Sequence, residues 1–178
     1  MWQFGKVQFS TVHLVGTNIG RLEILKNDVA MALAHVDARD RANRAWLSEI
    51  FWKASAFRNL ADAVITTTQA DVTNPDEYAP CTPTNRMNCD AFADFRSQLI
   101  KHAAAFNGPV LLVHGDTGPY CLDKNFGGSE ASNIWRLNAG GDYHQPLDAT
   151  VVTYRPRATN DPFSVRGLVE GERPAEHC

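Results

Sequence analysis

The chain has 178 residues, of which 44% are hydrophobic and 21% charged, with a formal net charge of −3. That supplies one core of ordinary domain size and excludes nucleic-acid binding through broad phosphate attraction. The apolar runs are only a few residues long, far below the ~20 needed to cross a bilayer, so no membrane span is expected. Residues 1–4 show no basic segment leading into an apolar stretch, so no signal peptide is expected either.

In chain order, residues 7–15 read as a strand, rich in β-branched and aromatic side chains and ending at Gly16-Thr17-Asn18. Residues 39–57 read as an amphipathic helix, with a start that could lie as early as Asn27-Asp28. Trp46, Leu47, Ile50, Phe51, Ala54 and Phe57 form its apolar face. Residues 63–68 are a second strand, β-branched enough to resist helix, and Gln69 to Asp71 follow it. Residues 73–88 form a loop rich in Pro, Thr and Asn. A second helix follows, with Asn88 or Asp90 as N-cap. Its stripe is Phe92, Phe95, Leu99, Ala103 and Phe106, and Asn107-Gly108-Pro109 ends it. Residues 110–113 are a third strand, running into His114-Gly115-Asp116. Residues 134–137, 149–154 and 163–169 alternate like short strands with no helix between them, which predicts an antiparallel meander.

The order is therefore β-α-β-α-β followed by β-β-β. Two right-handed crossovers in one sheet make the first three strands parallel. Their carboxyl ends then carry Thr17/Asn18, Gln69/Asp71 and His114/Asp116 to one edge, where open α/β sheets place their sites. Oxygen and imidazole donors there suit a divalent cation that activates water and clamps a phosphoryl group. About four candidate ligands are visible, where a two-metal centre needs roughly six, so the constellation is half a site.

Each of these residues also has a purely structural alternative. Asp116 before Thr-Gly is a common turn residue, His114 could be a hydrogen-bonded core histidine, and Gln69 and Asp71 could cap the following turn. His13, His35 and His102 have no ligand partner at helical spacing, and His144 and His177 fall in loop and tail. The loop between Cys81 and Cys89 has a span that a disulfide could close. Two free thiols are the alternative, and no close Cys or His pair favours zinc. Leu111-Leu-Val-His-Gly115 also fits the oxyanion strand of an α/β-hydrolase. That fold needs a Gly-x-Ser-x-Gly elbow, and Gly127-Gly-Ser-Glu-Ala131 lacks both the last glycine and a preceding strand.

The run Val110-Leu-Leu-Val-His-Gly-Asp-Thr-Gly-Pro-Tyr120 resembles the last motif of calcineurin-like metallophosphoesterases, in the form carried by a bacterial exported-type subgroup. Residues 11–18 resemble that subgroup's Gly-Ser-Asn-Asn strand. Arg41-Ala-Asn-Arg-Ala-Trp-Leu47 resembles its Asn/Gln-x-x-Trp-Leu helix. Residues 68–71 fall where a metal-binding His is usual, and residues 133–138 and 148–153 resemble the closing strands. The superfamily's Asp-x-His, Gly-Asp-x-x-Asp and Gly-Asn-His motifs are absent, so the likeness is to the C-terminal half of the fold. Gly118 stands where that fold has a ligand His and offers no side chain.

The resemblance implies a layered α/β half-domain over residues 1–178, with mostly parallel strands, two flanking helices and C-terminal antiparallel strands. It implies Asp116 and Gln69 as ligands of divalent metal ions (Mn, Fe or Zn), His114 as a catalytic group, and Asn18 and Asp71 as nearby polar residues. The implied activity is metal-dependent hydrolysis of a small phosphate ester, weak or absent in the isolated chain. The alternative is a non-catalytic remnant or association module without its own metal centre. A half-domain leaves sheet surface uncovered and open to self-association. A periplasmic or secreted location follows only by analogy with the intact relatives.

Overall fold

A computed structural model describes residues 1–24, 27–56, 60–73, 76–115, 117–140, 148–158 and 160–178. Six strands form the main sheet: β1 (Trp2–Phe4), β2 (Val7–Thr11), β3 (Ala63–Thr67), β4 (Val110–His114), β5 (Cys121–Asp123) and β6 (Ile134–Asn138). Their spatial order is β1-β2-β3-β4-β6-β5. β2, β3, β4 and β6 are parallel, and the edge strands β1 and β5 run antiparallel to their neighbours. A separate antiparallel hairpin joins β7 (Thr150–Tyr154) to β8 (Phe163–Gly167).

Two helices cross between the parallel strands: α1 (Val29–Ser55) and α2 (Ala93–Phe106). The strands are added in one direction, so right-handed crossovers put both helices on one face. There, Val36, Leu47, Ile50 and Phe51 of α1 and Phe95, Leu99 and Ala103 of α2 pack on Val64, Val110, Leu112 and Ile134. The alternate residues of the same strands, Ala63, Ile65, Leu111, Trp135 and Leu137, pack on Phe163 and Val165 of the hairpin. The period-2 alternation of each strand thus feeds two cores, and the molecule has three layers: helices, sheet and hairpin.

Helix α1 starts at the earlier of the two places the sequence allows, because the Asp28 carboxylate accepts from Met31 N (3.1 Å). Phe57, expected in its last turn, lies outside the described residues. Helix α2 begins at Ala93, and neither Asn88 nor Asp90 caps it directly: Phe92 is the cap residue, while Asp90 accepts from Phe92 N (3.0 Å). The helix ends as expected. Asn107 adopts a left-handed φ of 59°, and a Cβ on Gly108 would lie 2.6 Å from the Phe106 ring and 3.0 Å from the Asp62 carbonyl.

The expected antiparallel meander holds only for its last two strands. Residues 134–138 enter the main sheet parallel to β4, in the register Leu112↔Arg136 and His114↔Asn138, and only β7 and β8 pair antiparallel in the hairpin. A parallel partner needs a long connection but not a helix. Residues 115–133 supply one, and within it β5 folds back along the outer side of β6. All five residues of β6 are buried, the mark of an inner strand covered on both faces.

Both cysteine pairs are joined, Cys81–Cys89 and Cys121–Cys178. The second holds the segment around Ala175 against β5, where Leu122 N donates to Ala175 O (2.8 Å) and Ala175 N to Tyr120 O (3.0 Å). Its sequence separation of 57 residues removes chain entropy from the unfolded state worth about 4 kcal/mol in the loop-closure picture. One sheet edge is thus covered and the other, β1, is open, with Trp2 and Phe4 exposed beside it.

Candidate functional site

The four parallel strands deliver their carboxyl ends to one edge, and the polar residues expected there do meet. Gln69, after β3, accepts from Gly16 N, after β2, through its side-chain oxygen (3.0 Å). Asp71 accepts from Thr117 Oγ1 beyond β4 (3.0 Å) and lies 3.9 Å from His114 Nε2. Asn138, closing β6, donates to the backbone carbonyls of Thr117 (3.0 Å) and Pro119 (2.8 Å).

The segment after β2 is unusual. Thr17, Asn18 and Ile19 all have positive φ (51°, 57° and 59°), a left-handed turn of three non-glycine residues. Each such residue costs roughly 1–2 kcal/mol, so the turn persists only because its surroundings hold it. Asn18 provides the hold. Its amide donates to Cys89 O (2.7 Å) and its oxygen accepts from Ala91 N (3.0 Å), clasping the disulfide loop. From the other side, Asn43 of α1 donates to His13 O (2.8 Å) and Trp46 Nε1 to Thr11 O (2.8 Å). Asn43 and Trp46, two of the residues that carry the helix motif, therefore act as fasteners of the strand end.

His114 is buried, and its Nδ1 lies 3.1 Å from Gly115 O. A carbonyl only accepts, so Nδ1 carries the hydrogen and Nε2 of the neutral ring presents a lone pair. That lone pair has no hydrogen-bond partner among the described residues and faces Asp71. Burial pushes the His114 pKa below its ordinary value, against the opposing pull of the Gly115 carbonyl and Asp71. Burial pushes the Asp71 carboxyl up, but the hydrogen bonds from the Thr73 backbone N–H and the Thr117 hydroxyl help to outweigh it, and its pKa is lowered. Behind Asp71 runs a buried ionic chain. Arg136 reaches Asp71 Oδ1 (3.6 Å) and grips Asp123 Oδ2 (2.5 Å), and the other oxygen of Asp123, Oδ1, accepts from Cys178 N (2.8 Å).

In front of Asp71 opens a cavity of about 260 Å³. Asn18, Asp71, Asp76, Tyr78, Asp90 and Thr117 are among its lining residues, and among the described residues no Lys, Arg or His lines it. Asp90 is held by Arg96 and Asp71 by Arg136, so Asp76 is the lining carboxylate without a salt bridge among the described residues.

Of the residues the sequence singles out, Asn18, Asp71, Gln69 and His114 are brought to one edge, and Asp116 lies outside the described residues, as does His144. The capping role is realised for Asp71, which accepts from Thr73 N (2.9 Å), whereas Gln69 accepts from Gly16 N at another strand end and not from the turn that follows it. Among the described residues, no group of three or more His, Cys, Asp or Glu is placed to hold a metal ion. Ser129 of the near-miss elbow is exposed in the turn before β6, with no strand feeding it. Arg136 is not among the residues the sequence singles out. Its signal was a charge within Ile-Trp-Arg-Leu, where an outward-facing residue is expected only if the strand has a wet face. No protein-family profile, curated protein or solved structure matches the chain.

Proposed function

We propose that the chain carries part of a divalent-cation-dependent phosphoesterase, of the calcineurin-like type its motifs resemble, with the centre at the Asp71 cavity. The observation that supports this best is the pairing of two acceptors, the His114 Nε2 lone pair and Asp71 Oδ1, 3.9 Å apart beside an acidic cavity. Facing acceptors fit a cation of the kind that nitrogen and oxygen donors hold. A bound divalent ion would lower the pKa of a coordinated water and neutralise phosphate charge. Without one, Asp76 and the Arg136-paired Asp71 disfavour a phosphate ester, and no basic side chain among the described lining residues offsets Asp76. His114 and Asp71 would hold the ion, with Asp116 adding a carboxylate. The oxygen of Gln69 is engaged by Gly16 and contributes less. Two or three protein ligands make a weak, partial site, in keeping with half of a dinuclear centre.

The test is calorimetric titration of the purified chain with Mn²⁺, followed by assay of bis(4-nitrophenyl) phosphate. Weak Mn²⁺ binding that is lost in Asp71→Asn and in His114→Gln is expected, with no turnover by the chain alone. Absence of binding at millimolar Mn²⁺, or binding indifferent to both substitutions, would refute the cation site. Metal-dependent turnover abolished by Asp116→Ala would show instead that the centre is complete. The second reading, an association module without a metal centre, is favoured by the exposed aromatic strip at the open β1 edge.

A further inference from the structure

On the other side of the Asn18 clasp lies a larger cleft of about 500 Å³, within the range of small-molecule sites. Its floor includes Leu14, Ile19, Leu47 and Phe95, all buried beneath it. Among the described residues its walls carry four arginines and four aspartates. Arg21, almost wholly buried, pairs with Asp40 (2.7 Å) and Asp37 (3.4 Å), Arg86 pairs with Asp37 (2.5 Å), and Arg44 pairs with Asp94 (2.9 Å). Asp90 is held by Arg96. That leaves Arg41, exposed on α1, as the one lining guanidinium without a carboxylate partner among the described residues.

We infer that this cleft binds a small apolar carboxylate, its hydrocarbon body on the Leu14, Ile19, Leu47 and Phe95 floor and its head group on Arg41. The floor calls for an apolar body. The single uncompensated positive charge calls for a monoanion and disfavours a cation. The planar guanidinium fork matches a carboxylate in two-point geometry. The walls are set in advance: the Arg21 ion pairs, the Cys81–Cys89 bridge and the clasped left-handed turn that presents Ile19 leave little to be ordered on binding. The inference uses none of the residues proposed to hold a cation, so each stands or falls separately.

The experiment titrates the oxidised, full chain with octanoate, and with 1-octanol as the uncharged control, by calorimetry and amide NMR. Octanoate is expected to bind, to shift the amides of Ala91 and Phe95, and to bind at least about tenfold more tightly than 1-octanol. Arg41→Gln, at an exposed position with no ion pair to lose, is expected to fold normally and to bring octanoate down to the level of the alcohol. Ala93→Phe, which fills the cleft from the start of α2, is expected to abolish binding of both. Equal affinity for acid and alcohol in the wild type, full octanoate affinity in Arg41→Gln or Ala93→Phe, or no octanoate-dependent shift at millimolar concentration would each overturn the assignment.

Discussion

Replacing Asn18 tests whether one side chain holds the left-handed turn that separates the two cavities. Asn18→Ala removes the donor to Cys89 O and the acceptor of Ala91 N. Both residues are buried, Cys89 fully and Ala91 at 9% exposure, so neither backbone group is freely solvated in exchange. Each orphaned group costs about 1–3 kcal/mol. Alanine at φ 57° adds about 1 kcal/mol that glycine at the same φ does not. The expected loss is about 3–7 kcal/mol for Asn18→Ala and about 1 kcal/mol less for Asn18→Gly, a large part of the stability of an ordinary domain. Urea unfolding of both variants with the disulfides intact, at unchanged m-value, reads this directly. A loss below about 0.5 kcal/mol for Asn18→Ala would refute the clasp. A glycine variant less stable than the alanine variant would refute the backbone part of the reasoning.

Two further outcomes follow from burial. The His114 pKa is lowered in the folded chain, so below about pH 6.5 the unfolded state takes up a proton that the folded state resists. Stability should fall as pH drops from about 6.5 toward 5, and His114→Gln should flatten that slope. His102, also lowered but nearer solvent, is the control, and His102→Gln should leave most of the slope in place. Asp71 lies outside that window, because its lowered pKa gives stability that is lost only as pH falls below about 4. At the open edge, Trp2 is 55% and Phe4 79% exposed, and the β1–β2 register puts both on one face with Phe9 and Val7. Concentration-dependent association in sedimentation velocity is expected, and it should disappear in Phe4→Lys. A wild type that stays monomeric at high concentration would remove the association reading.

What the sequence by itself determined was local. The β-branched runs around residues 64–67 and 110–113, the apolar stripe of α2 and its Asn107-Gly108 stop are set by neighbours a few residues apart, through rotamer, backbone and period preferences. The polar residues after β2, β3 and β4 were readable for the same reason: two crossover units force parallel strands, and parallel strands share an edge. Only the tertiary structure decided the rest. Residues 134–138 alternate equally well for a meander or an inner parallel strand, and the choice depends on how the chain between 115 and 133 returns to the sheet. The pairing of Cys121 with Cys178 depends on a segment 57 residues away. The roles of Asn18, Gln69 and Arg136 depend on which distant carbonyls, amides and carboxylates the fold brings to them, because a polar side chain carries no mark of its partner until packing has removed the water that would otherwise serve.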